Sequence, residues 1–237
     1  MSSSGQSPSL SGYDLVVQQL IPGYASLARL AVSLLAASPL AGPEAAAVLV
    51  AGCGTGAELL EARSQRPDWQ LTAIDPSAAM LEEAQRRLDR ETADSGEGKA
   101  CQPIRWLRTT VEELAMPQSF DGALSVLVLQ SLADDGSKLA FLTSLATSLR
   151  PGGQLVLVDL MRAERSPLQA QVEQAWQGFQ RASGLAGATE ALASLSPGLH
   201  PIGLSRLTAL VNAAGFSDPA VIFQALDVQG FLLQRRS

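Results

Sequence analysis

Apolar and polar positions fall into blocks that predict a repeated succession of strands and helices. Short apolar runs predict buried strands at residues 48–51, 71–74, 104–107, 123–129 and 154–160. Between these runs, apolar residues return at helical spacing, as Ala78, Leu81, Ala84 and Leu88 do. A further helix at 205–214 and strands at 220–225 and 230–234 are predicted to close the chain. This alternation predicts an α/β fold with a doubly wound, mostly parallel sheet and right-handed crossovers.

The segments before the first strand and after the fifth depart from the alternation. Residues 1–12 are rich in Ser, Gly and Pro, which predicts a disordered tail, and residues 13–46 contain two helical patterns. Residues 13–237 are predicted to form one domain. Within it, residues 162–203 hold one amphipathic helix and a passage rich in Gly, Ala and Ser. Because this passage follows the fifth strand, at the sheet edge where such folds bind ligands, we expect a lid-like insertion.

Composition and charge narrow the range of partners. Apolar residues make up 46% of the chain and charged residues 17%, as in a well-packed globular protein. The formal net charge of −6 disfavours nucleic acid and anionic membranes as partners. Two cysteines and one histidine, with no cluster at metal-ligand spacing, predict neither a disulfide framework nor a metal site. The sequence shows no secretory signal and no run long enough to span a bilayer, so we expect a cytoplasmic location.

A glycine-rich turn follows the first strand. Residues 48–61 read VLVAGCGTGAELLE and place Gly52, Gly54 and Gly56 between a strand and a helix. Glycines at such a turn let bare backbone N–H groups approach a ligand. The second strand ends in Asp75. A carboxylate at the tip of a neighbouring parallel strand can accept both hydroxyls of a ribose, so the two features together predict a nucleoside-containing cofactor.

Two nucleotide-binding motifs compete for this turn. A P-loop needs GK followed by Ser or Thr, whereas Gly56 is followed by Ala57 and Glu58, so the P-loop is excluded. Gly52, Gly54 and Ala57 satisfy the dinucleotide pattern G-x-G-x-x-G/A, and this alternative stays open. Glu58 argues against it, because a negative charge in the first helical turn disfavours a pyrophosphate.

As a set, VLVAGCGTGAEL, LTAIDPSAAML and the LRPGG turn before the fifth strand resemble the class I S-adenosylmethionine (SAM)-dependent methyltransferases. The resemblance covers residues 47–160. It implies a Rossmann-like, seven-stranded sheet of order 3-2-1-4-5-7-6 with strand 7 antiparallel. It also implies SAM as the cofactor. The cofactor-binding residues that it implies are Gly52, Cys53, Gly54, Gly56, Asp75 and Pro76.

A narrower resemblance links the chain to the carboxy-SAM synthase branch of this superfamily, which makes a carboxylated SAM derivative used in tRNA wobble-uridine modification. It rests on the segments IPGYASLARLAVSLL, LVLQSL, FQRASG and FQALDVQGFLL. This resemblance implies that Tyr24 reaches the bound ligand. It also implies that Thr110 and Val111 border the adenine ring.

The chain departs from the branch at three positions. Thr110 stands where the branch has an aspartate, and Val126 where it has an asparagine. A gapless count places Ser194 where the branch has an arginine that binds the extra carboxylate, and no arginine lies between Arg181 and Arg206. An added carboxylate would therefore be desolvated without a cation, which is costly.

The reaction that we predict is in-line transfer of the SAM methyl group to a small-molecule acceptor. Carboxy-SAM synthesis and a non-catalytic SAM-binding role are the alternatives, and a homodimer is left open. No side chain is assigned to catalysis, because methyl transfer depends mainly on positioning. Cys53, between two glycines, is interpreted as a small packed side chain. His200 is interpreted either as an exposed loop residue or as a general base. Asp159 and Glu164, beyond the fifth strand, fit either substrate contacts or solubilising charges.

Overall fold

The computed structural model describes residues 12–94, 101–163, 165–185 and 198–237. Helices α1 to α7 span Tyr13–Leu20, Tyr24–Ala36, Ala57–Gln65, Ala78–Asp94, Ser137–Ser148, Gln169–Ala182 and Leu204–Ala213. Strands β1 to β7 span Ala47–Ala51, Gln70–Ile74, Arg105–Leu107, Phe120–Val126, Leu149–Leu160, Ala220–Ala225 and Val228–Gln234.

The seven strands form one sheet of order β3-β2-β1-β4-β5-β7-β6. Strands β1 to β5 pair in parallel, whereas β7 runs antiparallel to both β5 and β6. This arrangement confirms the predicted fold class, including strand order and the antiparallel seventh strand. The order reverses between β1 and β4, so the carboxyl ends of these strands flank the crevice where open α/β sheets bind ligands.

Both faces of the sheet are covered, which explains the continuous apolar runs of its central strands. In β1, Val48 and Val50 pack into the core under α1 to α4, whereas Leu49 and Ala51 pack into the core under α5 and α7. Helix α2 packs closely on the sheet at Gly122 of β4: a Cβ at this position would lie only 2.6 Å from the side chain of Leu35 in α2.

Two element boundaries differ from the sequence expectation. The predicted fourth strand reached residue 129, but β4 ends at Val126 because Leu127 adopts a positive φ of 59° and Leu129–Ser131 forms a 3-10 turn. The tight turn predicted at 149–153 is wrong as a separate element. These residues begin β5 in extended conformation, with an irregular register opposite β4 and a positive φ of 82° at Gly152.

The insertion and the tail are described in part. Helix α6 lies where an inserted helix was predicted, and the Trp176 indole N–H donates to the Leu20 carbonyl of α1 at 2.6 Å. Residues 1–11, 164 and 186–197 lie outside the described residues, so the predicted tail and much of the predicted lid are not described. Among the described residues no single helix has the length and apolar composition to cross a membrane; α1 and α2 meet that test only as a pair bent by 96°.

Candidate cofactor and acceptor site

The glycine loop, residues 52–56, connects β1 to α3 and is tied to the end of β2. The backbone N–H groups of Gly52 and Cys53 both donate to the Ile74 carbonyl, at 2.9 and 3.0 Å. The loop then closes on itself, because the Gly56 N–H donates to the Cys53 carbonyl at 2.9 Å. All three glycines have positive φ, between 50° and 86°, which other residues adopt at a cost. The loop therefore brings the carboxyl ends of β1 and β2 together.

Each glycine of the loop is required for a different reason. A side chain at Gly52 would meet Val128 at 2.4 Å, and one at Gly56 would meet Ala84 of α4 at 3.0 Å. A Cβ at Gly54 would meet no atom of the described residues within 4 Å. Gly54 is thus the glycine of the loop that faces open space, where a ligand can approach the backbone. Gly52 and Gly56 serve close packing within the fold.

Asp75 lies directly beside Gly54. Its Oδ2 accepts the Gly54 N–H at 3.0 Å and its Oδ1 accepts the Ser77 N–H at 2.8 Å. The residue is 8% exposed. Each carboxylate oxygen can accept more than one hydrogen bond, so Asp75 keeps capacity for two ribose hydroxyls while it fixes the loop. The structure thus brings together two residues that were predicted to contact the cofactor, while the contact itself stays a prediction.

Two further residues were predicted to contact the cofactor, Cys53 in the loop and Pro76 after β2. Cys53 is buried, and burial, with smaller contributions from Asp75 and Glu58, raises the pKa of its thiol to about 12. The thiol is therefore protonated at neutral pH, which disfavours a nucleophilic role. Pro76 is exposed, and its carbonyl accepts a hydrogen bond from Arg108 at 3.3 Å.

Thr110 and Val111 lie in the bend that follows β3. Val111 is 3% exposed and packs in the core under α5 and α7, and its carbonyl accepts the Leu114 N–H at 3.2 Å. Thr110 is half-buried. Neither placement tests a contact with adenine, which stays a prediction.

The N-terminal helices close over the glycine loop through one polar cluster. The Thr55 hydroxyl donates to Asp14 of α1 at 2.6 Å, and Asp14 also forms an ion pair with Arg87 of α4. Arg87 in turn donates to the Thr55 carbonyl at 2.8 Å. Three elements are thus joined at one loop residue. Sequence reasoning missed Asp14 and Arg87, because nothing in the sequence indicates that α1 and α4 meet there.

A groove of about 600 Å³ begins beside this cluster and follows α3 along α2. Tyr24, Ala57, Glu58 and Arg87 line its end near the glycine loop. Burial raises the pKa of Tyr24, with smaller effects from the carboxylates of Glu58 and Asp14. Tyr24 therefore lies near Glu58 and Asp14, and its predicted contact with a ligand stays a prediction.

Glu58 is the most unusual group of the groove. It lies in the first turn of α3 and is 6% exposed. Burial raises the pKa of its carboxyl to about 7, an effect opposed by a hydrogen bond from its own backbone N–H. From the sequence, Glu58 counted only as an argument against a pyrophosphate, since its burial cannot be read from the first turn of a helix.

A second buried carboxylate, Asp159, lies at the carboxyl end of β5. It is 1% exposed, and its Oδ1 accepts the backbone N–H groups of Gln130 and Leu160, both at 2.9 Å. Burial raises its pKa to about 7, against the opposing effects of the Gln130 N–H and the ammonium of Lys138. Lys138 is itself buried and donates to the Leu129 carbonyl. Asp159 is therefore a structural anchor of the turn after β4, and the interpretation as a solubilising charge is wrong.

His200 lies against the same turn. Its backbone N–H donates to the Gln130 carbonyl at 2.6 Å, and its side chain is exposed. Glu164 lies outside the described residues. Among the residues that are described, no group of three or more His, Cys, Asp or Glu could hold a metal ion. Gln180 of α6 was missed from the sequence: it is fully buried and neither of its amide atoms has a hydrogen-bond partner in the described part of the chain.

Comparison with known proteins relates part of the chain to methyltransferases. The sequence model of the methyltransferase domain matches residues 48–153. An uncharacterised methyltransferase of Mycobacterium tuberculosis is 36% identical over 115 residues, which cover 48% of this chain and 50% of that protein. The chain thus spans about half the length of the curated relatives that it matches first. The carboxy-SAM synthase of Geobacter metallireducens is 27% identical over 183 residues, 74% of this chain and 70% of that protein.

Solved structures agree with the fold. Human N-acetylserotonin methyltransferase in complex with SAM superposes with a TM-score of 0.59 at 16% identity, over 91% of this chain and 53% of that one. At this identity the likeness concerns the fold alone. The predicted resemblance to methyltransferases is confirmed by the domain match and the sequence relatives.

Proposed function

Because the chain carries a methyltransferase domain of the class I SAM-dependent superfamily, we propose that it transfers the methyl group of SAM to a small-molecule acceptor. At the level of the family, the cofactor prediction is confirmed, since the domain and the SAM-bound structural neighbour both indicate SAM. The acceptor, a cytoplasmic location, the absence of nucleic acid and membrane partners, and a homodimer stay predictions.

One observation carries the proposal. Asp75 lies at the tip of β2 and hydrogen-bonds Gly54, which is the loop glycine that faces open space. A carboxylate held in this way can accept the ribose hydroxyls of SAM while the backbone at Gly54 approaches the rest of the cofactor. The hydrogen bonds from Gly54 and Ser77 already hold the Asp75 carboxylate in place before the cofactor binds.

The proposed mechanism depends on positioning. Bound SAM supplies an electrophilic methyl group on a sulfonium. The chain holds the nucleoside end at Asp75 and closes α1 over the loop through Asp14 and Thr55. The turn after β4, anchored by Asp159, forms the neighbouring wall. Fixing an acceptor in line with the methyl carbon supplies much of the acceleration, so no dedicated acid or base is required.

Calorimetry with S-adenosylhomocysteine tests the proposal. We expect the wild-type chain to bind this product, and Asp75→Ala to weaken binding at least tenfold because the ribose hydroxyls lose their acceptor. Asp68→Ala is a matched control, because Asp68 is also a carboxylate beside β2 but pairs with Arg66 away from the loop. Equal affinity in wild type and Asp75→Ala would refute the ribose assignment. Methyl transfer from labelled SAM to small metabolites then separates an enzyme from a non-catalytic SAM-binding protein.

A second candidate is carboxy-SAM synthesis. The similarity to carboxy-SAM synthases extends over 74% of this chain, further than the match to the mycobacterial relative. Against it stands the absence of an arginine between Arg181 and Arg206. Mass spectrometry of the nucleoside that copurifies with the chain distinguishes the two, because a carboxylated ligand would favour this candidate over methyl transfer.

A further inference from the structure

The groove along α2 and α3 contains neither of the two residues that carry the proposed function. It measures about 600 Å³ and is lined by residues of α1 to α4, without Gly54 or Asp75. Its charged side chains are mostly acidic: Asp14, Glu58, Glu61 and Glu91 against Arg29 and Arg87. This balance of charge favours a cationic ligand.

Both arginines of the groove are already paired. Arg29 forms an ion pair with Glu61, and Arg87 forms one with Asp14. Arg87 also donates to the Thr55 carbonyl at 2.8 Å. Neither guanidinium is therefore held by Glu58, although Arg87 is near enough to act on it electrostatically.

Glu58 is the buried acid of the groove. It lines the groove although it is only 6% exposed, and it forms no hydrogen bond or ion pair with another described residue. Burial raises the pKa of its carboxyl to about 7. Of the two smaller charge effects, Asp14 raises this pKa by more than Arg87 lowers it. The charges around Glu58 thus leave it uncompensated, and burying a carboxylate in this way is costly unless a cation completes it.

The remaining walls of the groove suit the apolar part of a ligand. Ala25 and Ala28 of α2 lie along one side, and Ala57 and Leu60 of α3 along the other. A bare metal ion is a poorer match, because no group of three or more His, Cys, Asp or Glu in the described ranges could hold one. The expected ligand therefore carries its charge on nitrogen and has a hydrocarbon part.

We propose that the groove between α2 and α3 binds a small organic cation, whose ammonium or guanidinium group pairs with Glu58. The charged group donates to the carboxylate, and the hydrocarbon part is removed from water against the alanines of the groove. This site goes beyond the proposed function, because it lies beside the cofactor site and takes a different ligand. The cation and the cofactor product are expected to bind together.

Titration with hexylammonium chloride, followed by NMR at pH 8, tests the proposal. At this pH an alkylammonium is charged and the Glu58 carboxyl is mostly ionised. The neutral control is 1-hexanol, which has the same hydrocarbon chain, and potassium chloride controls for ionic strength. Glu58→Gln keeps the shape of the side chain and removes a buried charge, so the variant is expected to fold. Glu82→Gln is the matched control, because Glu82 is an exposed acid of α4 that does not line the groove.

We expect saturable binding to the wild-type chain, with nuclear Overhauser effects between the ligand and the methyl groups of Ala25 and Ala28. Binding of 1-hexanol should be at least tenfold weaker. Glu58→Gln should weaken hexylammonium at least tenfold, and Glu82→Gln should leave it within twofold. Equal losses in the two variants, or ligand contacts outside the groove, would overturn the proposal. The wild-type contacts and the comparison with 1-hexanol decide the question even if Glu58→Gln does not fold.

Saturation with S-adenosylhomocysteine separates the groove from the cofactor site. We expect the affinity for hexylammonium to stay within twofold when this product is bound. Displacement of hexylammonium would assign Glu58 to the cofactor site and overturn the proposal. Absence of hexylammonium binding would overturn it as well, while the proposed function, which is tested by S-adenosylhomocysteine alone, would stand.

Discussion

The carboxyl edge of the sheet has two halves, at β1–β2 and at β4–β5, and each contains a buried carboxylate with different hydrogen bonds. At the β1–β2 half, Asp75 uses both oxygens, one for the Gly54 N–H and one for the Ser77 N–H. At the β4–β5 half, Asp159 receives two N–H groups on Oδ1, while its buried Oδ2 has no partner among the described residues. Asp75 directly follows β2 and Asp159 is the second-to-last residue of β5, so a position near the carboxyl end of a strand does not determine the surroundings of the acid.

The difference indicates two roles. Asp75 is satisfied on both oxygens beside the open space at Gly54, so its remaining lone pairs are available to a ligand without cost to the fold. Asp159 is sealed under the turn after β4, and burial raises its pKa to about 7. The first half is suited to binding. The second half holds a turn in place, and its stability is expected to depend on pH.

The largest expected effect is a loss of stability on disturbing the contact between the two halves. Gly52 of the first half lies against Val128 of the second, where an added Cβ would be 2.4 Å from a methyl group. Gly52→Ala should destabilise the fold by about 3 kcal/mol, from overpacking and from the positive φ. Urea unfolding measures the change.

Two further variants separate these causes. Val128→Ala in the Gly52→Ala background should restore part of the stability, because it removes the clash but not the φ strain. Gly54→Ala should cost about 1 kcal/mol, because Gly54 has a positive φ but its Cβ would meet no described atom within 4 Å. Equal losses in Gly52→Ala and Gly54→Ala would show that the halves are not in contact.

The next effect is the pH dependence of the second half. The folded pKa of Asp159 is raised, so its contribution to stability is complete below about pH 4 and is lost as the pH rises through about 7. Asp159→Asn cannot ionise. The stability of wild type relative to this variant should therefore fall by about 2 kcal/mol between pH 5 and pH 8.

Denaturant unfolding at both pH values measures this change. The difference between the two chains removes the similar titration of Glu58, which is present in both. A constant difference across the range would mean that Asp159 is ionised throughout, paired with Lys138.

The first half was largely predictable from the sequence and the second was not. Gly54 and Asp75 belong to a local pattern, in which a strand, a glycine turn and a second strand place two groups by chain geometry alone. Asp159 is also visible as a strand-end acid. However, its burial depends on α5 and on the residues around His200, which come from distant parts of the chain.

The same reason explains why the sequence misplaced the end of β4. Val126 to Leu129 continue an apolar run, and nothing local signals the positive φ of Leu127. Glu58 and Gln180 were undervalued for a related reason: polar residues in helices are commonly exposed, and their burial here follows from how α3 and α6 meet their neighbours.

A smaller expected effect, on ligand affinity, distinguishes the binding role of Asp75 from the structural role of Asp159. Asp75→Asn keeps one acceptor oxygen but presents an amide NH₂ to one of two backbone N–H groups, so S-adenosylhomocysteine affinity should fall about tenfold, or 1.4 kcal/mol. Asp159→Asn should leave that affinity within twofold at pH 7. Calorimetry on both variants provides the check. Comparable losses in the two would mean that the β5 end also contacts the cofactor.

The smallest expected effect concerns how α1 is held on the first half. Thr55→Val preserves the shape of the side chain but removes the hydroxyl that donates to Asp14 at 2.6 Å. Unfolding should become about 1 kcal/mol easier, less than the roughly 1.5–3 kcal/mol of a typical hydrogen bond to a charged group, because Arg87 still pairs with Asp14. Ser33→Ala, which removes an exposed bond to Gln65 at 2.8 Å, should cost less. Because Arg87 still joins Asp14 to the loop, a loss much above 1 kcal/mol in Thr55→Val would mean that the hydroxyl, rather than the ion pair, holds α1 over the crevice.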